Sequence, residues 1–176
     1  MNKNSTKKLV LAGLFIAIGL VLPFLTGKIP EIGRRLLPMH IPVLIAGFVL
    51  GWKYGIVVGF ITPLLNSVLF TMPPMFPTAV VMAFELAAYG CLTGLFYNIF
   101  PKNIGYTYAT LILSMLGGRV VWGIVNIFIL GFGENPFTWQ AFIAGGFINA
   151  IPGIILQIII IPIIIIALER SNLIES

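Results

Sequence analysis

Long apolar stretches, each near the length of a membrane-spanning helix and parted by short loops rich in proline, glycine and charge, set the terms for this chain. A helix needs about 20 predominantly apolar residues to cross the hydrocarbon core of a bilayer. The sequence predicts six spans, at 8–25, 40–50, 54–70, 78–100, 106–130 and 139–168. The second is short and is punctuated by Gly51-Trp52-Lys53. The loop Thr71-Met72-Pro73-Pro74-Met75-Phe76-Pro77 is read as non-helical, because its prolines remove donors and clash with the preceding turn. Pro101-Lys102-Asn103 and Gly131-Phe132-Gly133-Glu134-Asn135-Pro136 mark two further turns.

The isoleucine-rich second half of the last stretch reads locally as a strand, but it is too long for one. In lipid a helix satisfies its own backbone groups, so helix is expected. Charged residues are only 9% of the chain and mean hydropathy is +1.09, whereas a soluble domain carries roughly a quarter charged residues. The expected fold is therefore an all-α integral membrane protein, a compact bundle of six transmembrane helices in one domain over residues 1–176. The lysine-led first stretch lacks a small-residue cleavage site after Leu25 and is read as a retained helix.

Lysines and arginines in short loops set orientation. With the N-terminus inside, Lys3, Lys7, Lys8, Lys53, Lys102 and Arg170 fall on the cytoplasmic side, and Lys28, Arg34 and Arg35 fall outside on one connector. Both termini are expected in the cytoplasm, with the chain crossing the membrane several times.

Polar groups at membrane depth are costly, about 2.5–3.5 kcal/mol for a charge at the helix centre on insertion scales. The exceptions are Glu85 in the fourth span, Arg119 in the fifth, and the amides Asn66, Asn126, Asn149 and Gln157. Glu85 and Arg119 form either a structural ion pair or part of a polar substrate site. Asn149 lies in Gly145-Gly146-Phe147-Ile148-Asn149-Ala150-Ile151-Pro152-Gly153, where small residues and Pro152 allow close approach and a local opening of backbone. His40, the one histidine, stands at the mouth of the second span. Trp122, a helical turn beyond Arg119, is placed to stack on an apolar part of a ligand. Candidate substrate-binding residues are thus Glu85, Arg119, Asn149, Trp122, Asn126, Asn66 and His40. Gly13 and Ala17 share a face of the first helix, where small residues permit another helix to dock closely.

The chain has no GxxxxGK[ST], HExxH or GxSxG motif and no Cys or His cluster at metal spacing. Neither an enzyme nor a resident metal or cofactor is expected. The net charge of +5 is scattered, with no basic stripe for nucleic acid. A six-helix chain without inverted halves or an ATPase motif is expected to bind a solute and depend on a partner to move it. A stand-alone facilitator or channel is the alternative, and the few scattered polar residues count against it.

These features resemble the substrate-binding S component of energy-coupling factor (ECF) transporters for vitamins. The resemblance rests on the lysine-led first helix with Gly13 and Ala17, and on Met39-His40-Ile41-Pro42-Val43-Leu44-Ile45-Ala46-Gly47-Phe48-Val49-Leu50-Gly51 followed by a glycine-rich third span. It implies a substrate pocket near the outer face and a first helix docking on a transmembrane coupling subunit. That subunit is driven by two cytoplasmic ATPases, and the S component topples in the bilayer to carry its vitamin inward. The family's docking pattern runs alanine to alanine, and Gly13 departs from it while still permitting close approach. The His40-Ile41-Pro42 segment looks closest to pantothenate-type members. A carboxylate substrate would suit Arg119, and a cationic or guanine-like one such as a queuosine precursor would suit Glu85. Both classes stay open, with pantothenate as the lead.

Overall fold

A computed structural model describes residues 3–25, 35–130, 137–171 and 174. The chain is an all-helical bundle: α1 (Lys3–Leu25), α2 (His40–Leu50), α3 (Trp52–Phe70), a π-helical turn (Met75–Ala79), α4 (Val80–Ile99), α5 (Ile104–Leu130), α6 (Trp139–Gly146), a 3₁₀ turn (Ile148–Ala150) and α7 (Ile151–Arg170). Among the described residues, five stretches are long and apolar enough to cross a membrane, and His40–Leu50 is a shorter apolar helix. Large apolar side chains such as Val10, Val21, Val68, Phe128 and Ile163 stand exposed on the bundle surface, as a lipid-facing protein requires. The cationic connector with Lys28 and Arg34, and the loop from Gly131 to Pro136, lie outside the described residues.

α2 and α3 meet at one residue, Gly51, whose φ of 84° is the left-handed conformation that glycine adopts without strain. α3 therefore starts at Trp52, and Trp52 and Lys53, read from sequence as a break, form its first turn. α2 has 11 residues, so it rises only ~17 Å, about half the hydrocarbon thickness. Its N-terminal residue, His40, consequently enters at depth. Irregular backbone is tolerated there only where protein surrounds it, and the chain just before α2 does lie against α7: a Cβ on Gly153 would press on the carbonyls of Arg35 and Leu36.

α4 runs through the middle, packed on α2, α3 and α5. Its contact with α2 and α3 is backbone to backbone. Gly90 faces Gly55, Gly59 faces the Leu86 carbonyl and Gly94 faces Gly51 and Trp52, and a Cβ on Gly55, Gly59, Gly90 or Gly94 would strike the opposing main chain. Without a hydrophobic drive between helices in lipid, such close approach is the main source of attraction. α1 leans on α2 and α3 through Ala12, 4% exposed, and Gly19, which abuts Thr62 and Pro42.

The start of α1 and the end of α7 share one face of the bundle. Ser5 Oγ on α1 is 3.5 Å from the Tyr54 hydroxyl at the start of α3. Tyr97 near the end of α4 donates to Glu169 Oε1 near the end of α7 at 2.5 Å. Lys102 Nζ donates to the Tyr97 carbonyl at 2.6 Å and sits over its ring.

Two local features differ from the sequence expectation. Where one helix is expected over 139–168, the chain bends: Phe147 leaves helical geometry (φ −124°, ψ −63°) and the 3₁₀ turn Ile148–Ala150 intervenes before α7. Gly145, Gly146 and Pro152 flank the bend, and the proline cannot donate to the preceding turn. The proline-rich loop is largely non-helical, yet Met75–Ala79 closes a π-type turn around extended Phe76 (φ −122°, ψ 136°) and leads into α4.

Candidate functional site

Glu85 and Arg119 meet in the half of the bundle opposite the start of α1 and the end of α7. Glu85 lies near the start of α4 and Arg119 past the middle of the antiparallel α5, so their side chains fall at the same level. Arg119 Nη1 donates to Glu85 Oε1 at 2.6 Å, with Glu85 1% and Arg119 5% exposed. Two further groups converge on the same oxygen. The Tyr89 hydroxyl donates to Oε1 at 3.2 Å, and His40 Nε2 lies 3.7 Å away, beyond hydrogen-bond distance. Tyr89 sits one turn below Glu85 on the same face of α4, and its ring lies 5.4 Å from that of His40. On the other side the Tyr89 ring fills the space a Cβ on Gly118 would need.

The pairing leaves specific atoms unsatisfied. Arg119 Nε and Nη2 and both nitrogens of His40 are buried with no hydrogen-bond partner among the described residues. Nε–H and the adjacent Nη2–H₂ form one edge of the planar guanidinium, the edge that takes a carboxylate through two parallel hydrogen bonds. Glu85 occupies only Nη1. A buried ion pair is costly unless its remaining donors are satisfied, and this one keeps an edge open.

An aromatic group flanks the arginine. Trp122 packs on Phe137 and Phe142, with ring centroids 5.3 and 6.1 Å apart, and Phe142 also touches Trp139 and Phe147. Gly145 and Gly146 of α6 lie against the Trp122 ring, and the Cβ position of Gly146 is 3.9 Å from Arg119 Cδ. The small residues of α6 thus let it close over the arginine and the tryptophan.

The other candidates are distributed as follows. Asn66, 2% exposed near the end of α3, donates to Met39 Sδ at 3.4 Å, beside the His40 entry. Asn126 is buried and donates back to the Trp122 carbonyl of its own helix at 2.8 Å, a common way for a polar side chain to settle inside a helix. Asn149 stands exposed on the 3₁₀ turn, apart from the buried cluster. Gln157 on α7 is 1% exposed, and its Nε2, like Thr110 Oγ1 and Ser114 Oγ on α5, has no partner among the described residues. These three lie on α5 and α7, two helices that pack on one another. Tyr89, Thr110 and Ser114 are additions to the sequence reading. For Tyr89 the signal was its spacing of four residues from Glu85; Thr110 and Ser114 resemble any small helix residue.

Gly13 and Ala17 lie on the open side of α1, where a Cβ on Gly13 meets nothing within 4 Å. The chain matches the family model "ECF transporter, substrate-specific component" over residues 7–165. This protein belongs to that family. The match takes in every helix except the first residues of α1 and the end of α7. Neither the curated proteins nor the solved structures contain a match to it. As an S component it is a multi-pass membrane protein and a transport subunit, not an enzyme; it works with membrane coupling and ATPase subunits on a small-molecule substrate.

Proposed function

We propose that this S component binds a small water-soluble vitamin or precursor bearing a carboxylate, with pantothenate as the lead, for ATP-driven import across a prokaryotic plasma membrane. The open Nε–Nη2 edge of buried Arg119 carries this reading. Glu85 Oε1 already receives Arg119 and Tyr89, so a cationic or guanine-like cargo would have to displace a partner. An anion finds its donors waiting. Trp122 and the aromatics around it supply an apolar wall for the rest of the molecule, and His40 and Asn66 line the entry beside α2.

The orientation that suits import puts both termini in the cytoplasm and the Glu85–Arg119 half toward the outer face. Equilibrium binding to purified protein tests the cargo class. Pantothenate is expected to bind at least about a hundredfold more tightly than pantothenol, the same molecule with an alcohol in place of the acid, as the loss of two charge-assisted hydrogen bonds implies. Tight binding of a cationic vitamin, with none of any carboxylate, would overturn the reading.

Partner docking falls on the free face of α1. Gly13→Leu should fill the close-approach surface without touching the bundle, because a Cβ there meets nothing within 4 Å among the described residues. Co-purification with a coupling subunit and two ATPases is expected to fall to background while ligand affinity stays within about twofold, as for a surface change remote from the site. Undiminished assembly would remove Gly13 and Ala17 from the docking face.

A further inference from the structure

We infer that His40 takes one proton from water when an anionic substrate binds, so that the S component captures anion and proton together. This rests on the carboxylate reading above. In the unliganded cluster the charges of Glu85 and Arg119 cancel across a 2.6 Å ion pair. A carboxylate on the open edge of Arg119 would leave one net negative charge among side chains that are at most 5% exposed. An uncompensated charge in such surroundings is strongly disfavoured, and something must neutralise it.

His40 is the group positioned to do so. It is 2% exposed, its Nε2 is 3.7 Å from Glu85 Oε1, and neither of its nitrogens has a hydrogen-bond partner among the described residues. Imidazole is also the side chain whose charge changes near neutral pH. Once protonated at both nitrogens, it can close the short remaining gap and donate to Oε1. Among the described residues, the titratable or charged groups facing it are Glu85 and Tyr89 from α4 and Arg119 from α5. Tyr89 donates to the carboxylate but cannot carry positive charge. Those of the other packed helices, Lys7 and Lys8 on α1, Lys53 and Tyr54 on α3, and Glu169 and Arg170 on α7, lie toward the opposite face, and Arg35 is exposed on the connector.

Calorimetric titration of the full chain with pantothenate, in buffers of differing ionisation enthalpy near neutral pH, counts the protons. About one proton is expected to enter per pantothenate bound, and about none per pantothenol, which brings no charge. Over that same pH range the affinity for pantothenate should fall about tenfold per pH unit, the slope that uptake of one proton dictates. In His40→Gln the proton count should drop to about zero and the slope should flatten. If that variant does not fold, the comparison of acid and alcohol on the native chain decides alone. Pantothenate binding without proton uptake overturns the inference and leaves the cargo reading intact. Equal uptake with both ligands, or uptake that survives in His40→Gln, overturns the assignment to His40. Absence of binding by any carboxylate vitamin overturns the cargo reading and this inference with it.

Discussion

Replacing Arg119 with lysine is expected to weaken binding of a carboxylate substrate about a hundredfold or more, because two charge-assisted hydrogen bonds of about 1.5–3 kcal/mol each are at stake. Lysine keeps the positive charge opposite Glu85, so the bundle should still assemble. Its ammonium is a point charge without the planar two-donor edge, and it cannot hold Glu85 and a substrate carboxylate in one plane. Arg119→Ala goes further, leaving Glu85 and Tyr89 facing an empty, buried position. Breaking one side of a buried ion pair costs about 3–5 kcal/mol, so the alanine variant should lose folding as well as binding. Ligand titration and thermal unfolding, run on both variants, separate these effects. Unchanged affinity in Arg119→Lys would mean that the guanidinium edge takes no part in recognition.

The second large effect concerns the seam between α3 and α4. Gly55 and Gly90 abut through their main chains, and a Cβ on either would strike the other's carbonyl. Here the obstacle is backbone, which cannot swing aside as a side chain can. Gly90→Ala is expected to destabilise the fold by about 1–3 kcal/mol, the range for overpacking, and Gly90→Leu to leave no folded protein after extraction. Because Gly47 and Gly59 use neighbouring stretches of α4, separation there would spread to α2 and displace His40. Thermal stability in detergent reads the outcome. A Gly90→Leu variant as stable as the parent would show that the two helices do not approach so closely.

Much of the architecture is legible in the sequence because lipid imposes a simple rule: backbone groups must be satisfied within the segment. The apolar runs and their proline and glycine breaks follow from it. The site's charged pair is legible for the same reason, since a carboxylate and a guanidinium at depth are too costly to be accidental. Their shared function is not. Sequence shows that Glu85 and Arg119 need partners, but only geometry shows that the pairing uses Nη1 and leaves Nε and Nη2 open.

Side-chain direction is where sequence says least. Asn66, Asn126 and Asn149 look alike as amides in apolar runs. One rests against Met39, one folds back on its own helix, and one is turned to the surface by the bend after Phe147. The bend itself is foreshadowed by Gly145, Gly146 and Pro152, whereas its direction depends on Trp122 filling the space beside those glycines. The short α2 is visible as a length, but its consequence is spatial: an 11-residue helix joined to α3 by Gly51 alone delivers His40 to the level of Glu85.

The most direct measurement is a structure of the S component with pantothenate bound. The substrate carboxylate should lie within hydrogen-bond distance of both Arg119 Nε and Nη2, with Glu85 still on Nη1 and His40 drawn toward Oε1. A ligand held elsewhere, with that edge of Arg119 closed by the protein's own groups, would contradict the account.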